Sequence, residues 1–198
     1  MKAAQTAVVL IEFQNEFCKP GGKLYEKVKD ELDRQGTVAN AVRLVEAARQ
    51  KGCLVIHCPF VYDRNWIEKE GVCGLLPELG KIGAFQPGQW GSELIDELKP
   101  ARGEPVLTGK HALSGFTNTQ LKHVLQQRQI KNVVVAGFLT NVCVEATARS
   151  AYDQGYRVVV IRDATAATSR ANQEYAEREI FPLLGGTMTV DEFVQSLQ

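Results

Sequence analysis

Apolar positions along this chain follow two alternating rhythms. Short unbroken runs occur at Ala7–Phe13 (AVVLIEF), Cys53–Cys58 (CLVIHC), Pro105–Leu107, Val133–Ala136 and Val158–Ile161, with a shorter one at Thr187–Val190. Such runs suit strands covered on both faces. Between them the spacing is helical. Val38–Gln50 repeats at Val42, Val45 and Ala48, and Asn118–Gln129 sets Leu121, Val124 and Leu125 on one side. Asn141–Gln154 aligns Val144, Ala148 and Ala151 and stops at Gly155, a residue suited to a helix C-terminus.

The alternation predicts an α/β fold. Continuous apolar strands joined by helical crossovers imply a doubly wound, mainly parallel six-stranded sheet with helices on both faces, a Rossmann-like three-layer sandwich. No repeat or low-complexity linker interrupts the chain, so residues 1–198 are expected to form one domain. The stretch Pro59–Pro100 is the least regular. Its Gly and Pro residues, with Trp66 and Trp90, suggest a long excursion beside a site.

Composition narrows the partners. Acidic and basic residues balance at 23 each, so neither nucleic acid nor a membrane surface is expected as a partner. No apolar run approaches the ~20 residues that span a bilayer, and the N-terminal run is too short for a signal-peptide core. A cytoplasmic location is the expectation. The five cysteines (Cys18, Cys53, Cys58, Cys73 and Cys143) contain no CxxC pair, which argues against a zinc ribbon or a thioredoxin-type redox site. Most should be small core residues.

In parallel sheets, ligands bind beyond the carboxyl ends of the strands. Glu12, His57, Lys110 and Cys143 all fall at or just after an expected strand end. Cys143 should lie in the first turn of a helix, where free N–H groups and the dipole favour a thiolate and could hold a developing oxyanion. Thr140 or Asn141 would cap that helix. Glu12 interrupts an apolar run, so a partner is needed to offset its burial, and it could act as a general base. Lys110 could keep that carboxylate ionised. Each residue also has a plainer reading when taken alone: a core cysteine, the onset of a loop, a solvated lysine.

Taken in order, the surrounding segments are more specific. VVLIEFQNEF resembles the opening strand of the isochorismatase-like cysteine hydrolases, an apolar run followed by D-x-Q-N-D-F. TGKHALSGF is similar to their lysine segment, and GFLTNVCVEATARSAYDQGY to their nucleophile segment, G-x-x-T-x-x-C-V-x-x-T-A-x-x-A. VVVIRDATAA is similar to the strand and Asp-Ala turn that follow. The resemblance implies a catalytic triad of Glu12, Lys110 and Cys143 that cleaves an amide or carbamoyl-type C–N bond of a small molecule through a thioester. It also implies a cis peptide at Phe138–Leu139, in an oxyanion turn formed with Cys143, and a dimer or tetramer.

One position departs from the pattern: the usual acid is Asp, whereas this chain has Glu12. Glu16 is the nearby alternative acid, although its register fits the second, non-catalytic acidic position. Nicotinamidase members carry D-x-H and a further His for a metal after the second strand. Here that region reads HCPFVYDRN, with His57 alone, so no metal and no cofactor are expected, and His57 is read as structural. True isochorismatases act on a vinyl ether and do not need the cysteine, so its presence favours C–N cleavage. Phe60, Tyr62 and Trp90 are candidates for the substrate wall, and Phe138 and Leu139 for apolar surface beside the nucleophile. Two alternatives stay open: a vinyl-ether or ester hydrolase, and a catalytically weak binding protein on the same fold.

Overall fold

In a computed structural model covering residues 1–198, five parallel strands form one sheet in the order β2-β1-β3-β4-β5. They are β1 (Thr6–Ile11), β2 (Leu54–Cys58), β3 (Asn132–Phe138), β4 (Arg157–Ala166) and β5 (Thr187–Met188). Every residue of β1 and β3 is buried, as their unbroken apolar runs require. Alternate side chains feed two separate cores. Val8, Leu10, Val134 and Ala136 pack under the helices Tyr25–Gln35, Thr37–Lys51 and Val190–Ser196. Ala7, Val9, Val133 and Val135 pack under Leu121–Gln127, Glu145–Asp153 and Phe181–Leu184. No helix is long and apolar enough to cross a membrane.

The sixth expected strand does not form. Pro105–Leu107 does run parallel to the outer edge of β2, where His57 N–H donates to Pro105 O at 2.9 Å and Leu107 N–H to His57 O at 2.8 Å. The pairing stops at the single bridge His57↔Val106. Pro105 has no N–H to extend a ladder, and the chain then turns away through Gly109. The expected last strand is also shorter. Val190 leaves it to open a helix whose capping box joins Thr189 and Glu192.

Helix boundaries shift for similar local reasons. Asn118 and Gln129 both adopt positive φ, so the expected helix 118–129 contracts to Leu121–Gln127. Tyr25–Gln35 is an unexpected helix. Its inner face holds Val28 and Leu32 together with a buried Glu31, which Arg34 neutralises at 2.6 Å. The irregular stretch 59–100 carries the short helices Arg64–Ile67 and Leu75–Lys81.

The strand order reverses between β1 and β3, since β1 leads to β2 on one side and the chain returns to place β3 on the other. This is the switch point at which doubly wound sheets open a crevice. The β3–β4 register slips between Val135 and Gly137, at the carboxyl end of β3. Gly137 pairs with Ile11 at the mouth of the crevice, with φ 126°. A Cβ there would sit 1.9 Å from Ile11 O. Gly137→Ala should therefore cost roughly 3–4 kcal/mol and lower the melting temperature by roughly 10 °C, as read by calorimetry.

Candidate active site

Three polar side chains meet in this crevice, each delivered by a different segment. Glu12 is the first residue beyond β1. Its N–H donates to Cys58 O at 3.1 Å, and its φ of 57° turns the chain out of the sheet. A left-handed conformation is uncommon for a side chain of this length and holds when the surroundings enforce it. Lys110 follows the β2 edge and is fully buried. Its ammonium donates to the Glu12 carboxylate and, at 2.7 Å, to Ala112 O, and lies 5.0 Å from the Phe60 ring centroid. Burial alone would lower the Lys110 pKa, but the Glu12 carboxylate beside it raises it. Lys110 is therefore a fixed cation.

Cys143 sits in a wide π-helical turn, Thr140–Val144, that joins β3 to the helix Glu145–Asp153. Such turns re-aim one side chain out of the regular helical path. The Phe138–Leu139 peptide is cis. Neither Thr140 nor Asn141 caps the helix: the cap position is Leu139, which offers no side-chain acceptor. Thr140 instead donates to Gln173 Oε1 at 2.6 Å, and the same oxygen accepts from Ala167 N–H at 3.0 Å.

The surroundings of Cys143 oppose the thiolate that a helix start alone would favour. Burial and the adjacent Glu12 carboxylate push the thiol well above its ordinary range, and Lys110 and the Leu139 N–H oppose them without prevailing.

Side-chain hydrogen bonds lock the lysine loop to the nucleophile helix. Ser114 Oγ donates to Ser150 Oγ at 2.8 Å, Gly115 N–H donates to Thr147 Oγ1 at 2.9 Å, and Thr147 Oγ1 donates to Cys143 O at 2.7 Å. The Ser and Thr of the two motif segments thus fix Lys110 relative to Cys143.

Above the three groups lies a cavity of about 370 Å³. Phe60 and Leu139 line it, together with Phe17, Leu79, Phe85 and Val142, which the sequence reading did not single out. Tyr62 and Trp90 do not. Tyr62 is buried outside the cavity, where its N–H donates to Phe85 O at 3.0 Å and its hydroxyl lies 3.4 Å from Glu68. Trp90 is 49% exposed and offers its carbonyl to Asn15 at 2.9 Å. Phe138 also points away from the cavity, stacking on Phe17 at 5.2 Å between ring centroids.

Glu16 has no catalytic geometry. Its two oxygens accept from Phe85 N–H and Lys23 N–H, each at 2.8 Å, so it braces the cavity wall. His57 Nε2 lies 2.9 Å from Glu104, which Arg49 also binds. Burial lowers the pKa of His57, and the residue ties β2 to the edge segment. No three His, Cys, Asp or Glu side chains are grouped to hold a metal ion.

A cysteine, a lysine and a carboxylate at the switch point of a parallel sheet define a nucleophilic hydrolase on an α/β sandwich. The isochorismatase domain model matches residues 6–192, and the chain belongs to the isochorismatase family. It is 34% identical to the ureidoacrylate amidohydrolase RutB of Variovorax paradoxus, over 99% of this chain and 82% of that protein. Its fold matches a cysteine hydrolase from Pseudomonas syringae pv. phaseolicola with a TM-score of 0.85 and 28% identity, covering 98% of this chain and 93% of that one. It also matches N-carbamoylsarcosine amidase from Thermoplasma acidophilum with a TM-score of 0.75 and 31% identity, covering 97% and 98%.

The charge balance around the thiol can be tested directly. Glu12→Gln removes the negative charge that opposes ionisation and leaves Lys110 in place, so the Cys143 pKa should fall. Iodoacetamide should modify exposed Cys73 first in the wild type and should reach Cys143 several-fold faster in the variant, as read by peptide mass mapping. Unchanged or slower Cys143 labelling would contradict this reading of the charges.

Proposed function

We propose that the protein hydrolyses a C–N bond in a small amide or carbamoyl-type molecule through a thioester on Cys143. What carries the reading is that Cys143 and Glu12 open together onto one cavity, with Lys110 paired to Glu12 behind them. The amidohydrolase activities named for the relatives support it.

The chemistry follows from the placement of a carboxylate and a thiol on one cavity wall. As a carbonyl carbon enters, Glu12 takes the thiol proton and sulfur attacks. Backbone N–H groups of the Leu139–Cys143 turn stabilise the oxyanion. Glu12 then returns its proton to the departing nitrogen, and the C–N bond breaks. With the amine gone, the Glu12 carboxylate draws a proton from water as its oxygen attacks the thioester. The C–S bond breaks, the acid product departs, and Glu12 returns the proton to sulfur to regenerate the thiol. Lys110 holds the Glu12 carboxylate in place between these transfers and takes no proton itself.

The free thiols suit a reducing compartment, which supports a cytoplasmic location. We also propose a homo-oligomer. The half-exposed Leu75, Ile82 and Trp90 within residues 59–100 support that reading. Light scattering should give at least twice the 21.9 kDa chain mass, and a clean monomer at micromolar concentration would refute it.

Glu12 provides the mechanistic test. Glu12→Gln should lower turnover by about two to four orders of magnitude, the usual contribution of a positioned acid–base group. Glu12→Asp withdraws the carboxylate by about 1.5 Å, away from both Cys143 and Lys110, and should also lose activity. Equal turnover by wild type and both variants on a confirmed substrate would remove Glu12 from the mechanism.

A further inference from the structure

The cavity over Cys143 is apolar to a degree that restricts what it can accept. Thirteen of its 17 lining residues are hydrophobic. Phe17, Phe60, Leu79 and Phe85 are buried, and Phe17 and Phe60 each pack a ring against Phe85, at 5.5 and 5.2 Å between centroids. The interior charge of Glu12 is already matched by Lys110. The other charged lining residues, Lys27 and Glu78, are exposed and of opposite sign. Among the residues that line the cavity, then, no buried cation is left unpaired. A carboxylate or phosphate on the substrate would lose its water with no partner to replace it.

We propose that the substrate is an uncharged amide whose acyl group is apolar, a short alkyl chain or a single ring, lying along Phe60, Phe85 and Leu79 with its carbonyl at Cys143. The proposal rests on the amidohydrolase reading above and narrows it. The volume of about 370 Å³ holds roughly a dozen non-hydrogen atoms at ~30 Å³ each, a water molecule's share of liquid volume. That is room for a hexanoyl or benzoyl group. Leu75 and Ile82, which bracket the short helix Leu75–Lys81 and are each 45% exposed, extend the apolar surface to the mouth.

The test compares propanamide, butanamide, hexanamide and benzamide with adipic acid monoamide, the ω-carboxylate twin of hexanamide. kcat/KM should rise about fourfold per added methylene, the equivalent of burying one CH2 group. Hexanamide should exceed its twin by at least about a hundredfold, reflecting an uncompensated buried charge. Equal or better turnover of the monoacid would overturn the proposal. So would a monoacid preference that disappears in Lys27→Met, because it would place the anion on the rim cation. Leu79→Arg, with its fold checked by melting temperature, should shift the preference toward the monoacid, and no shift in a folded variant would count against the proposed seat. If no amide is turned over, the amidohydrolase reading fails by itself. Ligand-observed NMR on the intact protein then decides the pocket question: binding of hexanamide over the monoacid supports an apolar seat, and the reverse overturns it.

Discussion

The pairing of Lys110 with Glu12 is the interaction on which the site depends. An ammonium with no solvent exposure is costly unless its donors are used and a counter-charge is close. Lys110 meets both conditions through the Glu12 carboxylate and the Ala112 carbonyl, and rests against the face of Phe60 as well. Removing either partner would strand the other, typically at a cost of about 3–5 kcal/mol. The pair therefore holds the end of β1 and the lysine loop in one register. The bonds from Ser114 and Gly115 to Ser150 and Thr147 extend that register to the nucleophile turn.

The same pair sets the working logic of the thiol. A lysine alone beside Cys143 would favour a standing thiolate, open to any electrophile. With Glu12 beside it, burial and the carboxylate push the thiol upward, so a base is needed to draw off its proton. Cys58 makes the contrast. It lies close to the same Lys110 and Glu12 charges, and burial likewise pushes its thiol up, to about 12, but it does not line the cavity, whereas Cys143 does. What separates the two thiols is access to the cavity, since the charges around them are the same.

Much of this was legible in the sequence, and the failures have physical causes. The apolar runs located β1–β4 because strands covered on both faces leave an unbroken signal. The family resemblance brought Glu12, Lys110 and Cys143 together although nearly a hundred residues separate the first two. Pro105–Leu107 carried a strand's composition but lacked the N–H needed to continue a ladder. Tyr25–Gln35 went unread because a buried Glu31 made its inner face look polar. Tyr62 and Trp90 were chosen as aromatics in an irregular stretch, and composition does not say which way a loop side chain faces. A helix start alone favours a thiolate at Cys143, and local sequence does not show the carboxylate arriving from β1 that opposes it.

The β1–β3 pairing joins residues such as Thr6 and Asn132, 126 positions apart. The first strand to leave a ribosome therefore waits for about two thirds of the chain before its central neighbour exists, and contacts of such sequence separation form slowly. Until they form, Cys143 has no carboxylate beside it and no lysine behind it, and it is chemically an ordinary thiol among five. The capacity to attack a carbonyl has no address in any fragment of this polypeptide. It comes into being with the closing of the sheet, so a nascent or misassembled chain carries none of the enzyme's chemistry into the cell.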